Sequence, residues 1–448
     1  MRSKNIALNL FIVLIITISV IFVIQGSMFI NLKNFNDDFK PKSLIQPVLK
    51  ANALDNDYAL IWNSSILIGD VKVVDIANDI DKDGTNEILA SNGYKVTVFE
   101  YNKTQQTFLE DGSTSTDTVW RMCFGNDLDE DGKKEIISAS SNGDLYVSEY
   151  NETSYTYNIV FQKFIDMFLE GLCIGEDLDK DGKKEIIVGS YGGLLAVFEY
   201  NNTDNGYSNV WQTTLADGII HLGFGNDLDK DGKAEILIST YAGELIIFEN
   251  NGADSYINVW NSGSILSELY STSTGNDLDG DGKMEIVTSS GSSQRVDVFE
   301  FDGTDNSYTK VWDSGLTLSV NIISVCIGDD LDQDGKFEIM AGASNGTIYA
   351  FEFNGTDNSY SKVWDSRTML GSSILSLCVG KDLNGNGYKE FIAGSSADKI
   401  HIFESSSALI PKDTPSNGFQ IPGYNIFTFA LIIGITSVIL IKKKFNSK

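Results

Sequence analysis

The chain has 448 residues, with 62 Asp and Glu against 33 Lys and Arg, a formal charge of −29 and a pI of about 4.3. That balance argues against nucleic acid as a partner, because a phosphate-binding face needs a surplus of Lys and Arg. The length alone would imply two or three domains, but an internal repeat assigns most of the chain to one body.

Residues 1–26 begin with Arg2 and Lys4, followed by a 19-residue apolar stretch, Ile6–Ile24, interrupted only by Asn9, Thr17 and Ser19. This predicts a signal peptide or an uncleaved signal anchor. It is long for a signal sequence, and Ile24-Gln25-Gly26 is a poor small-residue cleavage site. Residues 27–56 read as a linker.

Between residues 57 and 405 one acidic loop recurs seven times. It starts at Asp79, Asp127, Asp177, Asp227, Asp277, Asp330 and Asp382, at steps of 48, 50, 50, 50, 53 and 52 residues. So regular a period means one supersecondary unit stacked on copies of itself. The pattern is D-x-D-x-D-G-x-x-E. Carboxylates at positions 1, 3 and 5 turn inward around a small hard cation, and Gly at position 6 permits the bend. A carbonyl serves at position 7 and the acid at position 9 closes the shell, a shortened form of EF-hand ligand logic that suits Ca²⁺.

The predicted ligand sets are Asp79, Asp81, Asp83 and Glu87; Asp127, Asp129, Asp131 and Glu135; and Asp177, Asp179, Asp181 and Glu185. They continue with Asp227, Asp229, Asp231 and Glu235; Asp277, Asp279, Asp281 and Glu285; and Asp330, Asp332, Asp334 and Glu338. The seventh set, Asp382, Asn384, Asn386 and Glu390, lacks two formal charges and should be the weakest. Four carboxylates in nine residues repel one another without a cation, so about seven structural Ca²⁺ ions are expected, one for each loop.

Each unit also carries four short apolar runs of strand character. In the third these are Gly171–Gly175, Glu185–Ser190, Leu194–Tyr200 and Asn209–Gln212. Alternation and β-branched or aromatic content favour strands over helices. Four antiparallel strands in about 50 residues, seven times over, describe an all-β, seven-bladed β-propeller with its loops between strands A and B of each blade. The repeats end one strand short. Tyr58–Ser64 matches the outer strand Tyr360–Ser366 and is expected to close the last blade, which removes an open sheet edge. Outer-strand aromatics recur at Trp62, Phe161, Trp211, Trp260, Trp312 and Trp364 and read as core.

Cys123, Cys173, Cys326 and Cys378 share one repeat position, four residues before the first loop Asp, and read as small buried hydrophobes. Pairing of Cys123 with Cys173, or of Cys326 with Cys378, stays open. Glu100, Glu149, Glu199, Glu249, Glu300, Glu352 and Glu404 end the third strand of every unit. They are expected to anchor the loop, through Lys133, Lys183, Lys233, Lys283 and Lys336 where those exist. Thr85 and Tyr388 stand at that Lys position in units one and seven, so backbone bonding is expected there.

Residues 406–422 form a second linker; all five prolines lie in the two linkers. Residues 423–441 are long and apolar enough to span a bilayer, and the basic tail 442–448 follows. Basic flanks at both ends place the propeller outside the cell membrane. Sequons at Asn63, Asn102, Asn151, Asn201, Asn345 and Asn354 agree with that, although Asn-Gly-Thr also makes a good turn.

The chain resembles the FG-GAP and VCBS repeat family, the propellers of integrin α-subunit heads and many microbial surface proteins. The residues that carry the likeness are Phe124-Gly125 and Phe224-Gly225 before the loop, and Ala341-Gly342-Ala343 and Ala393-Gly394-Ser395 after it. One departure is Glu instead of Asp at the ninth loop position in all seven copies. The tail Ile421-Pro422-Gly423-Tyr424, an apolar span and Lys442-Lys443-Lys444 is similar to archaeal Pro-Gly-aromatic surface anchors.

The resemblance implies an extracellular, membrane-anchored recognition or adhesion protein for a cell-surface glycan or protein ligand, without catalytic activity. It also implies that the loops and the C–D hairpins share one face, leaving ligands to the B–C turns and D–A loops. Tyr191 and Tyr241 occupy equivalent B–C turns and either stack on sugar rings or simply pack the turns. A polysaccharide-lyase-like enzyme is the alternative, and a surface-coat component a third. Fold cannot decide among them, and neither His221 nor His401 shows a partner pattern.

Overall fold

The structure, a computed structural model, describes residues 58–406 apart from 66, 68, 155, 204–205, 265–267 and 368–369. The expected spans at 6–24 and 423–441 lie outside the described residues; within them no helix is long and apolar enough to cross a membrane. The described strands form seven four-stranded antiparallel sheets. In six the strands are consecutive, as in the third blade: A Leu169–Gly175, B Glu185–Ser190, C Leu194–Asn201, D Gly206–Thr214. In the seventh, A (Ile374–Val379), B (Glu390–Ser395) and C (Lys399–Ser405) come from the end of the body. Its fourth strand is Tyr58–Asn63, with Tyr58 opposite Ser405 and Asn63 opposite His401.

Neighbouring blades cover both faces of each sheet, so the middle strands are apolar throughout rather than alternating. Every residue of strand B in the third blade is buried. Between blades three and four, Ile187 and Val197 pack on Leu222, Ile236 and Ile238. The small residue near the end of strand B follows from this close approach. A Cβ on Gly189 or Gly342 would meet the first inner-strand residue of the next blade, Ile219 at 2.5 Å or Ile374 at 2.6 Å, and one on Gly394 would meet Val71, just before the inner strand of blade one, at 2.7 Å.

The outer-strand aromatics pair across blades, edge to face. Ring centroids lie 5.3 Å apart for Trp211 and Tyr256, 5.5 Å for Trp260 and Tyr308, 5.4 Å for Trp312 and Tyr360, and 5.3 Å for Trp364 and Tyr58. Gly112 holds this position in the first blade, and the Tyr157 ring occupies the space a side chain would need. All four cysteines are free thiols, and burial pushes the Cys173 thiol up to about 12.

Candidate metal centres and the face opposite them

Each acidic loop is folded by its own carboxylates. The position 6 Gly donates its N–H to the position 1 Asp, and position 5 donates to the side-chain oxygen at position 3. Position 7 donates to position 5, at 2.8 Å in loop one and 2.9 Å in loop three. The turn needs a left-handed backbone at position 6, where φ is 93° at Gly84 and 92° at Gly335, a region open to Gly at little cost.

These bonds leave side-chain oxygens facing inward. Ligand atoms of Asp127, Asp129, Asp131 and Glu135 lie within 4.8 Å of one another, as do those of Asp79, Asp81 and Asp83, and those of Asp177, Asp179 and Glu185. Asp127 Oδ1, Glu135 Oε1, Glu87 Oε2, Asp330 Oδ1 and Asp332 Oδ2 are buried with no hydrogen-bond partner. A converging set of unsatisfied carboxylate oxygens is what a hard, oxygen-preferring cation fits.

The ninth-position glutamates are almost wholly buried, and each accepts the N–H of loop position 2. Glu135 takes it from Leu128 at 2.6 Å, Glu235 from Leu228 at 2.8 Å, and Glu390 from Leu383 at 2.8 Å. A longer side chain than Asp is needed to reach across the loop, which accounts for Glu at this position. Burial, with the neighbouring aspartates adding to it, pushes Glu87, Glu135, Glu235, Glu338 and Glu390 up to about 8, and Glu185 and Glu285 to about 7.

The strand-C glutamates do anchor the loops. Lys183 bridges Asp181 and Glu199, both at 2.7 Å; Lys133 bridges Asp131 at 2.5 Å and Glu149 at 2.6 Å. Lys233, Lys283 and Lys336 repeat the bridge to Glu249, Glu300 and Glu352. Burial works upward on Asp131, Asp181, Asp231 and Asp281, yet the adjacent ammonium outweighs it and holds them below the usual range. The expectation of backbone bonding in blades one and seven is corrected: side chains take over. Glu100 accepts the Thr85 hydroxyl. Glu404 accepts the amide N–H groups of Asn384 at 3.0 Å and Asn386 at 2.6 Å.

Two contributors escaped the sequence reading, and both come from the next blade. The first is the Tyr that opens strand D. Tyr58 donates to Glu338 at 2.7 Å and Tyr360 to Glu285 at 3.0 Å, with Tyr308 and Glu235 at 3.5 Å. An aromatic does recur 29 to 31 residues after the first loop Asp, at Phe108, Tyr157, Tyr207, Tyr256, Tyr308 and Tyr360, so a signal existed. The second is the C–D hairpin, whose backbone N–H reaches the position 3 Asp: Asp254 to Asp179, Asn306 to Asp229, Asn358 to Asp279, at 2.8 to 2.9 Å. Loops and C–D hairpins therefore do share a face.

At the other face, Tyr191 and Tyr241 pack edge to face at 4.9 Å and remain 51% and 36% exposed. Phe168, in the D–A loop before blade three, lies 6.4 Å from Tyr191 and 6.0 Å from Trp120. Together they make a continuous, partly exposed aromatic run across blades two to four. Of the two histidines, His401 contacts Ser395 Oγ at 3.1 Å and Asn63 Oδ1 at 3.2 Å. His221 accepts the Thr272 N–H at 3.4 Å, and burial and then Arg121 push it down to about 3. Both rings serve as struts between strands.

Fold and loops together define a seven-bladed β-propeller with an FG-GAP-like repeat, whose family model matches residues 177–238, from the third loop to strand B of blade four. No curated protein matches the chain in sequence. Similar solved structures include BBS1N in complex with ARL6DN, seen soaked with mercury (11% identity, 78% of this chain and 96% of that one, TM-score 0.55). The lead-soaked crystal gives 10%, 78%, 97% and 0.56, and Saccharomyces cerevisiae Sqt1 gives 10%, 78%, 97% and 0.53. At such identities the likeness is one of fold.

Proposed function

We propose that this chain is a calcium-stabilised propeller, anchored in the cell membrane and displayed outside, that recognises or adheres to a cell-surface glycan or protein without chemically altering it. Calcium is supported by the orphaned carboxylate oxygens converging in the loops. Asp, Asn and Glu oxygens on a flexible loop favour Ca²⁺ over Mg²⁺, which demands a tighter octahedron. The N-terminal strand completes the ring by pairing with strand C of blade seven, and the ions stiffen one rim of that ring.

The observation that carries ligand recognition is the aromatic run Trp120, Phe168, Tyr191 and Tyr241 on the face the loops leave free. Exposed, mutually braced rings offer flat apolar area at low entropic cost, with hydroxyls at the edge, which suits the face of a sugar ring. The test is a glycan array probed with the chain and with a Phe168→Ala, Tyr191→Ala double variant. Binding that disappears in the variant supports this reading. Equal binding by both proteins, or depolymerisation of a bound polysaccharide, counts against it.

A further inference from the structure

Residues on or just before the inner strands of blades one, two, four, five, six and seven surround a cavity of about 210 Å³. Its charged lining residues are Arg121 and Lys72, the latter paired with Asp70 at 2.9 Å; His221, Tyr270 and a set of serine and threonine hydroxyls supply the rest of its polar surface. In a chain with 62 acidic and 33 basic residues, a cavity whose only charged lining groups are cations is a marked local departure. The nearest carboxylates border it without lining it: Asp70 on Lys72 and Glu268 on the Tyr270 hydroxyl.

Arg121 is held in an unusual way. It sits on strand A of blade two (Val119–Asn126) and donates to its neighbour's carbonyl, Trp120 O, at 3.0 Å. A second N–H reaches past blade three to the carbonyl of Ile220 in blade four, at 2.9 Å. The intervening strand carries Gly171 at the matching register position, opposite Gly189 as Arg121 is opposite Ala139, and a Cβ there would meet Leu222 of blade four at 2.7 Å. Nε is buried without a partner. Arg121 forms no ion pair among the described residues, and Glu170 acts on it only from a distance. A guanidinium positioned by two carbonyls, short of a counter-charge and bordering a cavity, is a fork prepared for an anion. Its chain neighbour Trp120 belongs to the aromatic run.

We propose that this cavity binds the anionic group of an acidic glycan, a carboxylate or a sulfate ester, on Arg121 with Lys72 at the rim, while the sugar ring lies on the aromatic run. This rests on the reading that this face binds glycan. The experiment is calorimetry on the full chain with cellotetraose, tetragalacturonate and a sulfated carrageenan tetrasaccharide, at low and high salt. The two anionic probes separate carboxylate from sulfate. At least one should bind about tenfold more tightly than the neutral probe, and salt should erode that advantage. Arg121→Gln should abolish the preference and keep neutral binding; Lys72→Gln should cut it a few-fold.

Equal affinity for neutral and anionic probes, or a preference that survives in folded Arg121→Gln, overturns the anion site and leaves the aromatic reading standing. If Arg121→Gln fails to fold, the rim variant decides, and a preference unchanged in Lys72→Gln overturns the inference. If no oligosaccharide binds, the glycan reading has failed. Free glucuronate and sulfate then decide: Trp fluorescence that responds in the wild type and not in Arg121→Gln supports an anion site, and no response at tens of millimolar overturns it.

Discussion

In the fifth blade, Glu285 receives the Leu278 N–H and the Tyr360 hydroxyl, while Lys283 bridges Asp281 and Glu300. In the seventh, Glu390 receives the Leu383 N–H and, in place of a tyrosine, the Asn384 amide; Asn384 and Asn386 both donate to Glu404. The residue that would supply the hydroxyl from blade one is Phe108, which cannot donate. Loop five thus gathers Asp277, Asp279, Asp281, Glu285 and Glu300 around one ammonium, and loop seven gathers Asp382, Glu390 and Glu404 around two amides. In loop seven, amide N–H groups stand where loop five has an ammonium and a tyrosine hydroxyl. The same backbone loop is therefore held by different side chains, and the difference lies in two Asp-to-Asn positions, Tyr388 at the Lys position and one missing hydroxyl.

The largest effect should come from removing the ions. At ten times Kd each bound ion adds about 1.4 kcal/mol, so six loops of the ion-dependent kind together match the whole stability of an ordinary domain. Excess chelator should lower the melting temperature by on the order of 10 °C or more. An unchanged melting curve would remove the basis of the comparison.

Acid should partly replace the ions. The ninth-position glutamates have folded values of about 7 to 8, above the ordinary carboxylate value. A raised folded pKa gives stability that is fully present below the unfolded value and lost as pH rises through the folded one. The chelated protein should therefore melt higher at pH 5.5 than at pH 8.5, and saturating calcium should flatten that slope. A chelated protein that becomes less stable on acidification over this window would refute the assignment.

Metal analysis at saturating calcium should then separate six tight sites from a seventh that is much weaker. Seven indistinguishable sites would show that the amides of loop seven do not substitute for a cation. Asn384→Asp sharpens the point: it should tighten the seventh site and make that blade more sensitive to chelator.

Smaller effects are expected from single struts. Glu199→Gln should weaken calcium in the third loop alone, because Lys183 is then left to Asp181 and competes with the ion. Tyr360→Phe removes one hydroxyl from buried Glu285 and should cost about 1 kcal/mol. If both variants titrate and melt like the wild type, these residues are bystanders.

Within one repeat unit, the sequence by itself was enough. Period, the fold of the acidic loops, strand runs and the orphan strand at Tyr58 are all local or periodic facts, and glycine, carboxylates and alternation write them directly into the chain. The anchoring role of Glu199 was legible too, because Lys183 and Glu199 meet across one hairpin, 16 residues apart. What the tertiary structure decided lies between blades. Tyr360 meets Glu285 across 75 residues, Asn358 meets Asp279 across 79, and Arg121 meets Ile220 across 99. The recurring aromatic was visible as a period, but a period does not say which neighbour's glutamate it reaches. Partner choice there follows from how each blade rests on the next. Such contacts depend on the ring being assembled, and no spacing within the chain encodes them.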